Sequence, residues 1–288
     1  MSKEPLIRTA WQTKSVLGEG PVWSPHHQGL LWVDIKKPAI HLFRPKTDEK
    51  QSWPLPQMIG CLAMRPDNTL VAALEDGFYA VSLPEPGTTP TLEKLATPAN
   101  HASHMRFNDG KLAPDGSLWA GSMDNREQEA TGAWYRLSPD NILSTMATDF
   151  MVTNGPAFDP ANNRVFLNDS ARQITYVAPL DQQAPLQLSV FRQFEPDDGY
   201  PDGMTVGPDG LLWIAFWDGA CLRGLDPLSG KTVHQIHMPV PRPTSCAFGG
   251  EDGKSLYVTS ASIGLSDDEL AAAPLSGSLF EITGLSPT

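Results

Sequence analysis

The sequence predicts an all-β protein, specifically a six-bladed β-propeller. Three observations carry that prediction: helical periodicity is almost absent, the apolar runs are short and separated by turn formers, and one strand–turn–strand plan recurs six times. The 27 prolines and 24 glycines fall between the apolar runs, the pattern of many short strands. Only "SDDELAAAPL", from Ser266, carries a helix start signal, a serine followed three residues later by Glu269.

The six copies begin with "EGPVWSPHHQGLLWVDI" at Glu19, "IGCLAMRPDNTLVAAL" at Ile59 and "NDGKLAPDGSLWAGSM" at Asn108. They continue with "NGPAFDPANNRVFLND" at Asn154, "DGMTVGPDGLLWIAFW" at Asp202 and "TSCAFGGEDGKSLYVTS" at Thr244. Each turn supplies the preset or positive φ that a tight hairpin requires. The turn markers Pro25, Pro66, Pro114, Pro160, Pro208 and Gly250 are 41, 48, 46, 48 and 42 residues apart. A period of roughly 40–50 residues with several strands per unit is the signature of a propeller. No linker interrupts it, so residues 1–288 are expected to form one domain, with "LPEPGTTPT" from Leu83 as an inter-strand loop. The segments "IRTAWQTKSV" and "SGSLFEITGL" are expected to pair and close the ring. Trp23, Trp32, Trp119 and Trp213 recur at corresponding positions, which assigns them to blade packing.

Six residues before each marker stand Glu19, Gly60, Asn108, Asn154, Asp202 and Thr244. In a propeller these positions surround one axis. Asp and Asn before Gly commonly form turns for local reasons. Four oxygen-bearing side chains in register, one of them a glutamate, point instead to a ring facing the channel. Converging carboxylates repel unless a cation lies between them, and hard divalent cations prefer such ligands.

The formal net charge of −12 is dispersed. That excludes a nucleic-acid partner, which needs clustered Lys and Arg, and disfavours an anionic membrane. Cys61, Cys221 and Cys246 form no CxxC motif. With no apolar segment at the N-terminus, they predict a reduced, cytoplasmic protein.

The stretches "GEGPVW", "RFNDGKLAPDGSLWAGSM", "NGPAFD", "PDGMTV" and "TSCAFGG" resemble the SMP-30/gluconolactonase/luciferin-regenerating family across about Val16 to Gly284. The resemblance implies hydrolysis of a sugar lactone, such as gluconolactone or a pentonolactone, with one divalent cation. It places the metal ligands on Glu19, Asn154 and Asp202, with Asp202 also the catalytic base. It places substrate contacts on Arg106 and Asn108. Relatives carry acidic residues after "GSM"; "DNREQE" makes Asp124 and Glu127 the candidates here, while His104, before "RFNDG", reads as a solvated loop histidine ahead of a residue lining the site. Two carboxylates and an amide leave Ca2+, Zn2+, Mn2+ and Fe2+ open.

Other constellations are weak. There is no GxSxG, no HExxH and no glycine-rich phosphate loop. Two other readings stand beside the lactonase: another metal-dependent ester or phosphoester hydrolase, and a non-catalytic metal-binding propeller.

Overall fold

The computed structural model describes residues 5–99 and 101–285. Twenty-four strands form six antiparallel four-stranded sheets arranged as the blades of a propeller. Blade 1 holds β2 (Gly18–Ser24), β3 (Gly29–Asp34), β4 (Ala39–Arg44) and β5 (Glu49–Pro54). Blade 2 runs from β6 (Ile59–Met64) through β7 (Leu70–Leu74) and β8 (Gly77–Ser82) to β9 (Thr91–Ala96). Blade 3 comprises β10 (Met105–Leu112), β11 (Leu118–Asp124), β12 (Gly132–Leu137) and β13 (Leu143–Phe150). Blade 4 comprises β14 (Thr153–Asp159), β15 (Arg164–Asp169), β16 (Ile174–Pro179) and β17 (Ser189–Gln193). Blade 5 comprises β18 (Tyr200–Val206), β19 (Leu212–Trp217), β20 (Cys221–Leu225) and β21 (Thr232–His237).

The sixth blade closes the ring. Its strands β22 (Pro243–Gly249), β23 (Ser255–Ser260) and β24 (Leu279–Thr283) accept β1 (Leu6–Trp11) as the outermost strand. The register Ile7↔Ile282 and Arg8↔Glu281 joins the two ends as the sequence predicted. Glu281 pairs with Arg8 and accepts the Tyr257 hydroxyl, so closure is both backbone and side chain. Closing the ring removes the open edges that would template further pairing.

The core lies between blades. Leu31, Val33 and Ile40 of blade 1 pack with Leu62, Leu70 and Ala72 of blade 2. Leu211, Trp213 and Ala215 of blade 5 pack with Val258, Phe280 and Ile282 of blade 6. Trp32, Trp119 and Trp213 are buried, and Trp23 stacks on Tyr257, so the recurrent tryptophans are packing residues. Cys61 and Cys246 are buried in the core, and all three cysteines are free. The helix α1 spans Asp267–Ala272 with the reciprocal Ser266–Glu269 cap that the sequence announces. No helix among the described residues is long and apolar enough to cross a membrane.

Candidate metal centre and active site

The first strand of every blade lines the central channel, and each carries a register shift at the same place. The shifts lie between Glu19 and Val22, Ile59 and Cys61, Phe107 and Gly110, Asn154 and Ala157, Pro201 and Met204, and Pro243 and Ser245. Bulges re-aim side chains away from simple alternation. Glu19 and Asn154 are the last paired residues before their bulges, while Asn108 and Asp202 lie inside theirs. All four line one cavity of about 540 Å³, together with Arg106, Lys36, Glu127, Tyr200, Trp217 and Arg242.

Blades 2 and 6 place Gly60 and Thr244 at this register, and neither lines the cavity. A Cβ on Gly60 would sit 2.3 Å from the Asn108 carbonyl oxygen, so only glycine lets blades 2 and 3 approach there. Thr244 turns its hydroxyl to the Gly18 carbonyl, tying blade 6 to the strand that presents Glu19.

Glu19 and Asp202 are both buried, and both carboxyls are held well above the usual range. Burial is the largest cause for each. The neighbouring carboxylates add to it, Asp202 and Asp109 acting on Glu19 and Asp109 on Asp202. One Glu19 oxygen accepts the Gly20 amide at 2.8 Å, whereas Asp202 Oδ1 is buried with no hydrogen-bond partner among the described residues. An orphaned carboxylate oxygen beside a second buried carboxyl is the donor set a divalent cation stabilises. The Asn154 amide oxygen completes a hard, three-oxygen set. The described residues hold no cluster of three or more His, Cys, Asp or Glu side chains, so this centre depends on that amide.

Hydrogen bonds orient the set. Asn154 Nδ2 donates to Ser170 Oγ at 2.8 Å, and Ser170 Oγ donates to the Pro201 carbonyl at 2.6 Å. Asn168 Nδ2 donates to the Asp202 carbonyl at 2.6 Å and its Oδ1 accepts Thr175 Oγ1 at 2.6 Å. Asn108 Nδ2 donates to Asn154 Oδ1 at 2.8 Å and to the Thr153 carbonyl. Arg106 Nη1 donates to Asn108 Oδ1 at 2.6 Å. Burial lowers the Arg106 guanidinium to about 10, which keeps it charged at neutral pH. Arg106, Asn108 and Asn154 therefore form one chain, which Ser170 continues to the Pro201 carbonyl, one residue before Asp202.

Asp124 departs from expectation. It is absent from the cavity wall, and its carboxylate accepts Arg126 Nε at 2.9 Å and the backbone amides of Arg126 and Gln128. The hydrogen bond from Arg126 chiefly holds its carboxyl low. Asp34 and Asp169 end the second strands of their own blades and likewise accept backbone amides. Asp124 is thus the blade 3 copy of a loop-holding aspartate. Glu127 does line the cavity, presented at φ 57, in the left-handed region. His104 does not line it; its carbonyl accepts the Asn125 amide.

Two buried charges went unread in the sequence. Asp109 accepts the Gly155 amide at 3.1 Å and the Gly110 amide at 2.7 Å, and burial pushes its carboxyl up to about 6. Lys111 donates to the Met204 carbonyl at 2.7 Å, and burial lowers its ammonium while Asp109 raises it. From blade 3, the pair grips the bulges of blades 4 and 5, next to Asn154 and Asp202. The signal lay in "NDGK", where two charges are spaced by one glycine on a strand otherwise buried.

Comparison with known proteins gives the family. Residues 17–262 match the family model described as SMP-30/Gluconolactonase/LRE-like region. The chain is 36% identical over 268 residues to 6-deoxy-6-sulfogluconolactonase of Pseudomonas putida, covering 92% of this chain and 90% of that one. It is 31% identical over 276 residues to human regucalcin, covering 93% and 91%. The crystal structure of a calcium-binding protein, regucalcin, from Agrobacterium tumefaciens superposes with a TM-score of 0.89 at 26% identity, covering 96% and 93%. A family model matched over most of the chain, with relatives above 30% identity along more than nine-tenths of it, leads to one assignment: this protein belongs to the SMP-30/gluconolactonase/LRE-like family.

Proposed function

We propose that the chain is a metal-dependent lactonase that opens five- or six-carbon aldonolactones to the free sugar acids. The observation that carries the reading is Asp202: a buried carboxylate with one unpartnered oxygen, lining one cavity with Glu19, Asn154, Asn108 and Arg106. Glu19, Asn154 and Asp202 would hold one divalent cation. Bound there, the cation supplies Lewis acidity and lowers the pKa of water.

The side chains supply the rest. Asp202 takes the proton of the attacking water as the hydroxyl adds to the lactone carbonyl carbon. The ring C–O bond then breaks, and the departing alkoxide takes the proton held by Asp202 to become a hydroxyl, which returns Asp202 to its carboxylate form. Arg106 offers donors to the developing oxyanion or to sugar hydroxyls, and it suits the carboxylate product. Asn108 donates and accepts, which fits a hydroxyl-rich ring, and Glu127 accepts hydroxyl protons from the cavity rim. A relative named for a gluconolactone at 36% identity supports this substrate class.

A second reading, a metal-binding propeller without turnover, draws support from the neighbour titled a calcium-binding protein. Purified protein mixed with aldonolactones and a pH indicator, with and without chelator, separates the two. Acid release that chelation stops supports the lactonase; metal binding without acid release supports the other.

A further inference from the structure

Arg106 and Lys36 stand on one wall of the cavity, and their charges are unusual for this acidic chain. Arg106 is 3% exposed, yet among the described residues no carboxylate lies within 4 Å of it or of Lys36. Arg242, which also lines the cavity, is paired with Asp218 at 2.6 Å. Arg106 is buried and Lys36 half-buried, and Glu127, Glu19 and Asp202 act on Arg106 only from beyond ion-pair distance. A charge taken from water without a close partner is costly, so the two facing one cavity point to a ligand that supplies the counter-charge.

The two cations are drawn together by a neutral group. Asn125 Oδ1 accepts Lys36 Nζ at 2.6 Å and Arg106 Nε at 3.0 Å, so the two nitrogens are less than 6 Å apart. Arg106 Nη2 makes no hydrogen bond among the described residues, and one amide oxygen carries no charge to offset two cations. Burial and the Arg106 charge both depress the Lys36 ammonium. Glu127 and Glu75 are the acidic groups that act on Lys36, and neither reaches ion-pair distance. The loops carrying these groups are anchored. Asp34 accepts the Lys36 and Lys37 amides, and Asp124 grips the turn that follows Asn125.

We infer that the substrate is a sugar lactone carrying a second, anionic group, which Lys36 and Arg106 bind while the ring ester faces Asp202. The inference rests on the lactonase reading and narrows its substrate class. A phosphate, sulfonate or carboxylate on the carbon chain presents several acceptor oxygens and meets both donors at once. The cavity of about 540 Å³ has room for a lactone ring and such a substituent.

The test compares D-glucono-1,5-lactone with its 6-phospho derivative, using the metal-loaded protein and its Lys36→Met and Lys36→Arg variants. The parent is expected to favour the phosphorylated lactone in kcat/KM. That preference ratio should fall about 10- to 100-fold in Lys36→Met, the loss of one charge-assisted hydrogen bond, and recover in Lys36→Arg. A ratio unchanged by Lys36→Met, or a parent preference for the neutral lactone, overturns the inference. Calorimetric binding of 6-phosphogluconate against gluconate gives a readout without turnover. If no lactone is hydrolysed, the lactonase reading fails by itself, and tighter binding of the phosphorylated acid that Lys36→Met abolishes still upholds the anion site. Equal binding of the two acids sinks it.

Discussion

Four blades of this propeller and the remaining two occupy the same register with opposite chemistry. Blades 1, 3, 4 and 5 place Glu19, Asn108, Asn154 and Asp202 at the channel, each with polar atoms aimed into one cavity. Blades 2 and 6 place Gly60 and Thr244 there, one absent as a side chain and one turned to a neighbouring carbonyl. A six-fold scaffold therefore carries a lopsided site. The repeat supplies position and bulge, while the side chain at each position decides between ligand and spacer.

The largest expected effect breaks the spacer side. Gly60→Ala would drive a Cβ to 2.3 Å from the Asn108 oxygen and 2.6 Å from the Phe107 carbonyl carbon, both backbone atoms that cannot swing aside. We expect a loss of about 3 kcal/mol or more, read as a fall in Tm by thermal unfolding, together with impaired metal binding through the displaced Asn108. A variant as stable as the parent would mean that the close approach of blades 2 and 3 does not require glycine at this position.

A buried group with no part in the site sharpens the comparison. His41 lies on β4 of blade 1, donating to or accepting from Ser52 at 2.7 Å, and burial lowers it to about 4. The unfolded chain binds its proton near the ordinary value of 6.5, while the folded protein does not. Stability should thus be complete above about pH 6.5 and decline by about 3 kcal/mol as pH falls to 4. His41→Gln should flatten that limb in denaturant titrations at several pH values. An unchanged limb would assign it to other groups.

On the ligand side, Arg106→Ala should leave metal binding in place and lower kcat/KM about 10- to 150-fold, the loss of one charge-assisted hydrogen bond. Parental rates on every tested lactone would remove Arg106 from the substrate contacts. The smallest effect belongs to the second spacer. Thr244→Val keeps the shape and strands the Gly18 carbonyl, costing about 1 to 2 kcal/mol of stability by unfolding, with the metal site intact. Loss of metal binding in that variant would blur the division between ligand and spacer blades.

Much of this was legible in the sequence because a propeller writes its period into its turns. The six markers fixed the blades, and a constant offset from them found Glu19, Asn108, Asn154 and Asp202. Asp124 was misread because an acid after a strand looks alike whether it faces a ligand or its own loop. Its likeness to Asp34 and Asp169 becomes plain only when the amides it accepts are known. Asp109 and Lys111 escaped because the bulge at Phe107/Gly110 sets which neighbours on a strand share a face, and a bulge leaves no period to count. Lys36 escaped for another reason. It sits in the loop after β3, outside the repeat register, and meets Asn125 only through the packing of blade 1 near blade 3.

The central claim, that Glu19, Asn154 and Asp202 converge on one cation, is tested most directly by titrating Ca2+, Zn2+, Mn2+ and Fe2+ into exhaustively chelated protein by calorimetry, with elemental analysis of the product. One equivalent of a divalent cation should bind the parent and be greatly weakened in Asp202→Ala, with lactone hydrolysis lost alongside it. Full hydrolysis by protein confirmed metal-free, or undiminished binding by Asp202→Ala, would contradict it.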